Sequence, residues 1–600
     1  AARVVCGAAL AWWVVGCAAQ QAIVRERALG PGPDPTSEYG DHTFVQASRG
    51  RHCLYPREED GRVRWYLDGV PGPFTRRLSY FHPMWDASGH RIRYLADEGT
   101  RARPSVRLFV NLEPGPAFEE IEGYGCSPDG RRISYFARRG ARWMPVIDGV
   151  IGPEYDEKGF VVFSRDSARV AWFGRRGEAW FATFDGREQG PYDAIDRVMY
   201  GADGRRTICF ATVEGVPHLL VNGEELCEGS YSFFTRYPPQ GDREVLAVNR
   251  PGEMQVVVAG ELGPVYPHFG PTAGGDIAFT FSPDGRRFGY VAYRDGRAFA
   301  VVDDQEGPPF DDAAPPEFSL DSLRCAYVAM RADMWMVVLD GQPQPEYDAV
   351  GSVVFSGDSR HVAYRATRRH RQLVVVDGAL GPQYDQIGSY IVANPAGTGF
   401  AYRARQGDRW RVVVDGAEGP PYDEIEPHDG PCFSPDGRHL AYRARKGDRW
   451  VFVVDGREGS EYESITTDWD NPFSPDSRHW AYVGTRDGLA YAVIDGREGP
   501  PYGRIEGIGF SGDGNHFAYC AARMRLSQRP VRVWGEGSEP TLRRIGIPEH
   551  HVVVDGVEGP RYDELLGYGL SISRRGTVRY LAVRDGVLYR VRHTPVAPEG

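Results

Sequence analysis

One order of residues recurs along this chain and limits what it can fold into more than any other feature. In the copy that shows it best, Val453-Val454 runs into Asp455-Gly456-Arg457-Glu458-Gly459, Tyr462 follows, then Phe473-Ser474-Pro475-Asp476, then Ala481-Tyr482. The first landmark, a β-type run ending in Asp-Gly or a degenerate form of it, falls at Asp68, Asn111, Asp148, Asp185, Asn222, Ala259, Asp303, Asp340, Asp377, Asp415, Asp455, Asp495 and Asp555. Successive landmarks stand 37 to 44 residues apart, except the last, which is 60 from its predecessor. A fixed period of this length means that one supersecondary unit is repeated, each copy burying its apolar faces against its neighbours.

Each period holds four strand-like runs. Between Pro431 and Tyr462 the first ends at Phe433-Ser434 and turns through Pro435-Asp436-Gly437. The second is His439 to Arg445, the third Trp450 to Val454, and Asp455-Gly456 turns into a fourth around Tyr462. Asp-Gly between apolar runs favours a tight hairpin, since Gly accepts positive φ and Asp can bond its own backbone. Units of ~40 residues with four antiparallel strands predict an all-β chain of β-propeller blades. Gly 74 and Pro 45 make up one residue in five, which is what four turns per blade consume. The third strand appears thirteen times before such a turn and once more, without a fourth strand after it, at Val587 to Val591. Fourteen four-stranded blades are expected. Gly30-Pro31-Gly32-Pro33 to Tyr39-Gly40 resembles the missing fourth strand, so that the two chain ends would close one ring together. Fourteen exceeds the ~4–8 blades of one ring, and two seven-bladed propellers are therefore expected, with six plus eight as the alternative. The Pro-rich stretch Asp311 to Pro316 would divide them, giving a first propeller over 41–312 and a second over 313–600.

Cys126-Ser127-Pro128-Asp129-Gly130-Arg131, Phe281-Ser282-Pro283-Asp284-Gly285-Arg286 and Phe433-Ser434-Pro435-Asp436-Gly437-Arg438 each precede an aromatic-bearing strand. They resemble the Ser-Pro-Asp-Gly blade of TolB-type, WD-repeat-like bacterial propellers, and the resemblance runs through essentially the whole chain after its N-terminal segment. Copies such as Ser356-Gly357-Asp358-Ser359 and Asn394-Pro395-Ala396-Gly397 depart from it but keep a turn-forming residue.

Arg3 precedes an apolar stretch from Val4 to Val15, too short for the ~20 residues of a membrane-spanning helix but the length of a signal-peptide core. Val14-Val15-Gly16-Cys17 then resembles the bacterial lipobox, which implies a signal peptide over 1–16, a lipid on Cys17 and a linker over 17–40. Ala18 and Ala19 lack the aspartate that retains such lipoproteins at the inner membrane, so the expected address is the outer membrane. Contact with membrane through the lipid anchor alone follows.

The net charge of −12 comes from 82 acidic against 70 basic residues, and Lys158 and Lys446 are the only lysines. No basic stripe stands out, and a nucleic-acid partner is not expected. Nine cysteines contain no C-x-x-C pair, so neither a zinc knuckle nor a thioredoxin-type site is indicated. No G-x-S-x-G elbow, H-E-x-x-H, P-loop lysine or G-x-G-x-x-G is found, so no catalytic residue, metal or cofactor is assigned. Recurrence sorts the remaining residues. One site needs one constellation, whereas the Asp of Asp-Gly, the Tyr-Asp pairs and the histidines His52, His90, His361, His439, His479 and His516, which share one slot after the first turn, serve every blade.

Departures from the repeat are more informative. The interval before Asp555 carries about 20 extra residues within Ala521 to His551, in the connection between second and third strands. Arg523, Arg525, Arg529, Arg532, Trp534, Arg543 and Arg544 lie in it. His428, Asp429, Asp468, Trp469 and Asp470 fall in connections on the same face of neighbouring blades, and these residues form the candidate binding surface. Imidazole and carboxylates there would also suit a cation or proton transfer, but acidic loops are common and no metal site is assigned. The favoured function is a non-enzymatic cell-envelope lipoprotein whose propeller faces bind a protein, peptide or glycan. The alternative is a glycan-active hydrolase or lyase with its site in a central channel.

Overall fold

The computed structural model describes residues 23–31, 45–46, 52–59, 62–75, 77–78, 84–86, 89, 91–99, 104–231, 243–268, 278–397, 399–427, 430–467, 471–526, 531–533, 541–543 and 546–595. Among these residues there is no helix, and the strands form fourteen small antiparallel sheets of four or five strands plus one two-stranded hairpin. The fold is an all-β β-propeller arrangement.

The third sheet shows how sequence becomes blade. Glu120–Cys126, Ile133–Arg139, Arg142–Ile147 and Val150–Ile151 pair in chain order. Asp148 (φ 52°) and Gly149 (φ 83°) make the last hairpin, both in the left-handed conformation that a two-residue turn needs to match strand twist. The aspartate adopts it because its carboxylate takes up strand-end donors, accepting from the Ile133 amide at 2.8 Å and from Arg132 Nε at 2.9 Å.

Two compact units divide the chain, Ala1–Pro56 with Tyr66–Val70 and Ser460–Gly600, and Arg57–Trp65 with Pro71–Gly459. In both, the core is a series of interfaces between successive sheets. Tyr347, Val353, Tyr364 and Val375 join the eighth sheet to the ninth, and Tyr384, Ile387, Tyr402 and Val413 join the ninth to the tenth. In the other unit Tyr502, Ile505, Tyr519 and Val553 join the twelfth to the thirteenth. The Tyr of each Tyr-Asp-like pair meets a second-strand Tyr of the following sheet edge to face, from Tyr347–Tyr364 to Tyr562–Tyr580, at 5.8 to 6.4 Å between ring centres.

The fourteenth sheet takes its fourth strand from the start of the chain. Ile23–Pro31 pairs antiparallel with Val587–Thr594, in the order Ile23–Pro31, Val587–Thr594, Val578–Arg584, Glu564–Ile572. The strand lies upstream of the Gly30-to-Tyr39 stretch that the Gly-Pro motif pointed to, sharing only Gly30 and Pro31 with it, and residues 32–40 lie outside the described residues. Residues 311–316 run into the eighth sheet through the strand Asp312–Ala313. The seven described cysteines are all free thiols; Cys6 and Cys17 are outside the described residues.

Candidate functional site

The recurrent polar residues form three bonds that hold the repeat together. In the first, the slot after the first turn pairs with the Asp of Asp-Gly: His361 Nδ1 with Asp377 at 2.5 Å, His439 with Asp455 at 2.7 Å, His479 with Asp495 at 2.6 Å and His516 with Asp555 at 2.8 Å. Arg132, Arg287 and Arg324 fill the same slot in other sheets. In the second, the Ser of Ser-Pro-Asp donates to its Asp and accepts an amide five residues on, as in Ser127–Asp129 and Arg132. That serine bond is the chief reason the exposed Asp129 carboxyl sits below its ordinary range, with the Arg131 amide next. In the third, a buried Tyr hydroxyl donates to a Glu of the next sheet, which a cation of that sheet also holds. Tyr266–Glu306–Arg294, Tyr422–Glu458–Lys446, Tyr462–Glu498–Arg486 and Tyr502–Glu558–Arg523 are such clasps. Tyr562–Glu26–Arg584 is another, so the N-terminal strand is held as an ordinary fourth strand.

Arg523 therefore belongs to a clasp of the repeat, its guanidinium also lying 4.8 Å from the Tyr502 ring centre. The insert that follows it is a long hairpin: Phe517–Leu526 pairs with Gly546–Val554 out to Leu526 and Gly546, and Val531–Val533 pairs with Thr541–Arg543. Arg525, Arg532 and Arg543 lie on these strands. Cys17, His428, Asp429, Asp468, Trp469, Asp470, Arg529, Trp534 and Arg544 lie outside the described residues. Among the described residues no group of three or more His, Cys, Asp or Glu could hold a metal ion.

A different departure is visible in the first strands. Most long ones carry a register shift against their second strand, between Glu122 and Gly125, Lys158 and Val161, Ile195 and Arg197, Val350 and Val353, Ile387 and Ile391, and Glu506 and Gly509. Such bulges release residues from the ladder and re-aim side chains. In the fourth sheet the released pair is Gly159-Phe160. A Cβ at Gly159 would stand 2.5 Å from the Phe173 ring, so glycine lets that ring close against the strand while Phe160 turns outward, 64% exposed.

Beside Phe160 a cleft of about 800 Å3 opens between the fourth and fifth sheets. Its lining is apolar, with Phe160, Phe163, Phe173, Val198, Met199 and Tyr200, and Arg165, Asp196 and Arg197 stand at its edge. The Tyr200 hydroxyl is occupied, donating to the Val170 carbonyl at 3.0 Å and lying 3.1 Å from Asp185, and burial, first of all, pushes its phenol far above the ordinary range. Next to the cleft, Lys158 of the fourth sheet's first strand pairs with Glu122 of the third's at 2.6 Å and holds that carboxyl below its usual range. The cleft offers apolar contact with charge at the rim. Sequence reasoning passed over it, although Gly within a strand-like run, as in Glu122-Gly123-Tyr124, Lys158-Gly159-Phe160 and Gly388-Ser389-Tyr390, is the signal of a bulge.

No protein-family profile and no characterised protein sequence matches the chain. Solved structures to which it is similar include a eukaryotic initiation factor, at 10% identity over 60% of this chain and 95% of that one, with a TM-score of 0.27. The Dos1 propeller is similar at 11% identity over 50% and 92%, with a TM-score of 0.23. TolB from Acinetobacter baumannii is similar at 15% identity over 44% and 77%, with a TM-score of 0.19.

Proposed function

We propose that this chain is a non-enzymatic binding protein, and that the cleft beside Phe160 seats an apolar side chain of an extended peptide segment from a protein partner. The cleft carries the reading. A concave apolar floor with a few charges at its edge is how proteins hold a ligand group, and an exposed ring against such a floor is costly in water unless something covers it. The repeated His–Asp pairs and Tyr–Glu–cation clasps have their polar groups engaged within the repeat and act as its framework. Lipidation of Cys17 would tether the molecule to the cell envelope, the outer membrane being the expected side.

Selection of peptides on the purified chain, followed by affinity measurement on Phe160→Asp, tests this. Selected peptides should carry an aromatic or branched residue and lose about tenfold or more in affinity, ~1.4 kcal/mol, while the thermal midpoint stays where it was because Phe160 is exposed. Equal affinity for both proteins would overturn the assignment. The tether is tested separately by fractionating cells that express Cys17→Ala, which should leave the membrane fraction.

A further inference from the structure

The Phe173 position recurs in all fourteen sheets, as the second-strand residue that follows the central Tyr or its equivalent. It is Pro56, Leu95, Phe136, Phe173, Phe210, Ala247, Val291 and Val328 in the first eight sheets and Val483, Cys520 and Leu581 in the last three. In the ninth, tenth and eleventh it is Arg365, Arg403 and Arg443. Their register matches: Arg365 opposes Val374, Arg403 Val412 and Arg443 Phe452, as Phe173 opposes Ala182. Eleven apolar occupants show that the fold does not need a cation there. Three arginines in consecutive sheets are a local change of chemistry at a position that, in the fourth sheet, floors the cleft.

Each of the first two arginines passes over the bulge glycine of its own first strand and reaches the next sheet. A Cβ at Gly351 would meet Arg365 Nε at 3.1 Å, and one at Gly388 would meet Arg403 Cγ at 2.5 Å. Arg365 donates to the Ile387 carbonyl at 3.4 Å and Arg403 to the Ile425 carbonyl at 3.0 Å, while Arg403 also lies 4.5 Å from the Trp410 ring centre. A guanidinium has five N–H donors. Among the described residues neither Arg365 nor Arg403 has a carboxylate within 4 Å, and neither leaves a buried nitrogen unsatisfied, so their remaining donors are open to solvent. Burial opposes the charge of Arg403, with Glu426 and Glu424 favouring it from farther off. Glu424 is held by Arg445 at 2.7 Å, and Glu426 lies 3.7 Å from Arg443. On the tenth sheet's first-strand bulge, between Ile387, whose carbonyl Arg365 bonds, and Ile391, stands Tyr390, 63% exposed, the counterpart of Phe160.

We infer that this stretch of the ninth to eleventh sheets binds an acidic oligosaccharide, its uronate carboxylates on Arg365 and Arg403 and a sugar ring on Tyr390. Planar guanidiniums take carboxylates in two-point contacts, and a row of one cation per sheet suits a chain with one charge per unit better than a single small anion. The exposed aromatic ring of Tyr390, on the same bulge as the glycine that Arg403 passes over, adds the stacking surface a pyranose ring uses. An acidic peptide would draw on a strand edge for main-chain bonds, and the bulge between Ile387 and Ile391 interrupts that edge. The inference is independent of the peptide cleft.

Calorimetric titration of the purified full chain with a galacturonate hexamer tests it, against a neutral galactose hexamer and hexaglutamate. The uronate should bind with an affinity that falls as salt rises, and the other two should not. Arg365→Gln and Arg403→Gln should each lose about five- to tenfold and the pair together about fiftyfold, with Tyr390→Ala losing about fivefold. Phe160→Asp should change nothing, which separates this site from the cleft. If an arginine variant unfolds, the exposed Tyr390→Ala and the salt dependence decide. No uronate binding, equal binding of hexaglutamate, or full affinity in folded Arg403→Gln or Tyr390→Ala would each overturn the proposal.

Discussion

At the scale of single residues, two buried tyrosines at different positions of the repeat, Tyr462 on a fourth strand and Tyr327 on a second, differ in what their hydroxyls do. Tyr462 donates to Glu498 at 2.6 Å, whereas the Tyr327 hydroxyl is buried without an acceptor. A bond to a charged acceptor is worth about 1.5–3 kcal/mol, and deleting an unsatisfied hydroxyl is neutral or favourable. Tyr462→Phe should lower unfolding stability by ~2 kcal/mol in denaturant melts, and Tyr327→Phe should leave it unchanged or raised. His593 carries a different signal. Burial pushes its pKa from 6.5 down to about 4, with Glu26 opposing, and its Nε2 lies 3.0 Å from the Tyr580 hydroxyl. A folded value below the unfolded one means that stability is full above pH 6.5 and is lost as pH falls towards 4, on the order of 3 kcal/mol. His593→Gln should flatten that part of the stability curve. One substitution has a visible compensation: Asn222 replaces the Asp that Arg206 would meet, and buried Glu244 of the next sheet, at an otherwise mostly apolar position, takes Arg206 at 2.9 Å.

At the scale of elements, the strand Ile23–Pro31 matters out of proportion to its length. It covers the edge of Val587–Thr594, which would otherwise present unpaired donors and acceptors, and it brings Glu26 to Tyr562 and Arg584. Burial alone would raise the Glu26 pKa, but the bonds from Arg584 and Tyr562 outweigh it and hold the carboxylate charged. Removing residues 1–31 should lower the melting temperature and produce soluble oligomers on size exclusion, since an open edge pairs with other chains. A peptide of residues 23–31 added in trans should reverse both, and an unchanged monomer would count against the role. The period announced that a fourth strand was missing, yet placed it a few residues downstream, because Gly-Pro and Tyr mark a turn and a buried ring while pairing is chosen by what closes the sheet. The insert before Asp555 was legible as an extension of the second-to-third-strand connection, but its hairpin form was not, since Arg-rich runs have no strict alternation to mark strands.

At the scale of the molecule, stability is distributed over many similar interfaces rather than held in one core. The clasp carboxylates Glu306, Glu418 and Glu458 are held low, chiefly by their bonds from Arg294, Tyr384 and Lys446. Depressed folded values give stability that is full above about pH 4.5 and disappears as acid carries the pH through them. Acid should therefore weaken many interfaces over the same narrow range below pH 4.5, after the His593 step, and a tryptophan-fluorescence titration should show the two stages. The chain by itself determined the number of units, the four-strand plan and the turn chemistry, because these rest on residues within ~40 positions of one another, and recurrence alone marked the His slot and the Asp-Gly turns as structural. Only the tertiary structure decided which segment completes the fourteenth sheet, where Glu26 and Arg584 meet across 558 residues. Only it put Phe173 on the floor of a cleft, and Arg365 and Arg403 in the same position between other sheets. Register, bulges and the face a side chain presents are settled by the neighbouring sheet, and no local pattern of residues encodes that neighbour.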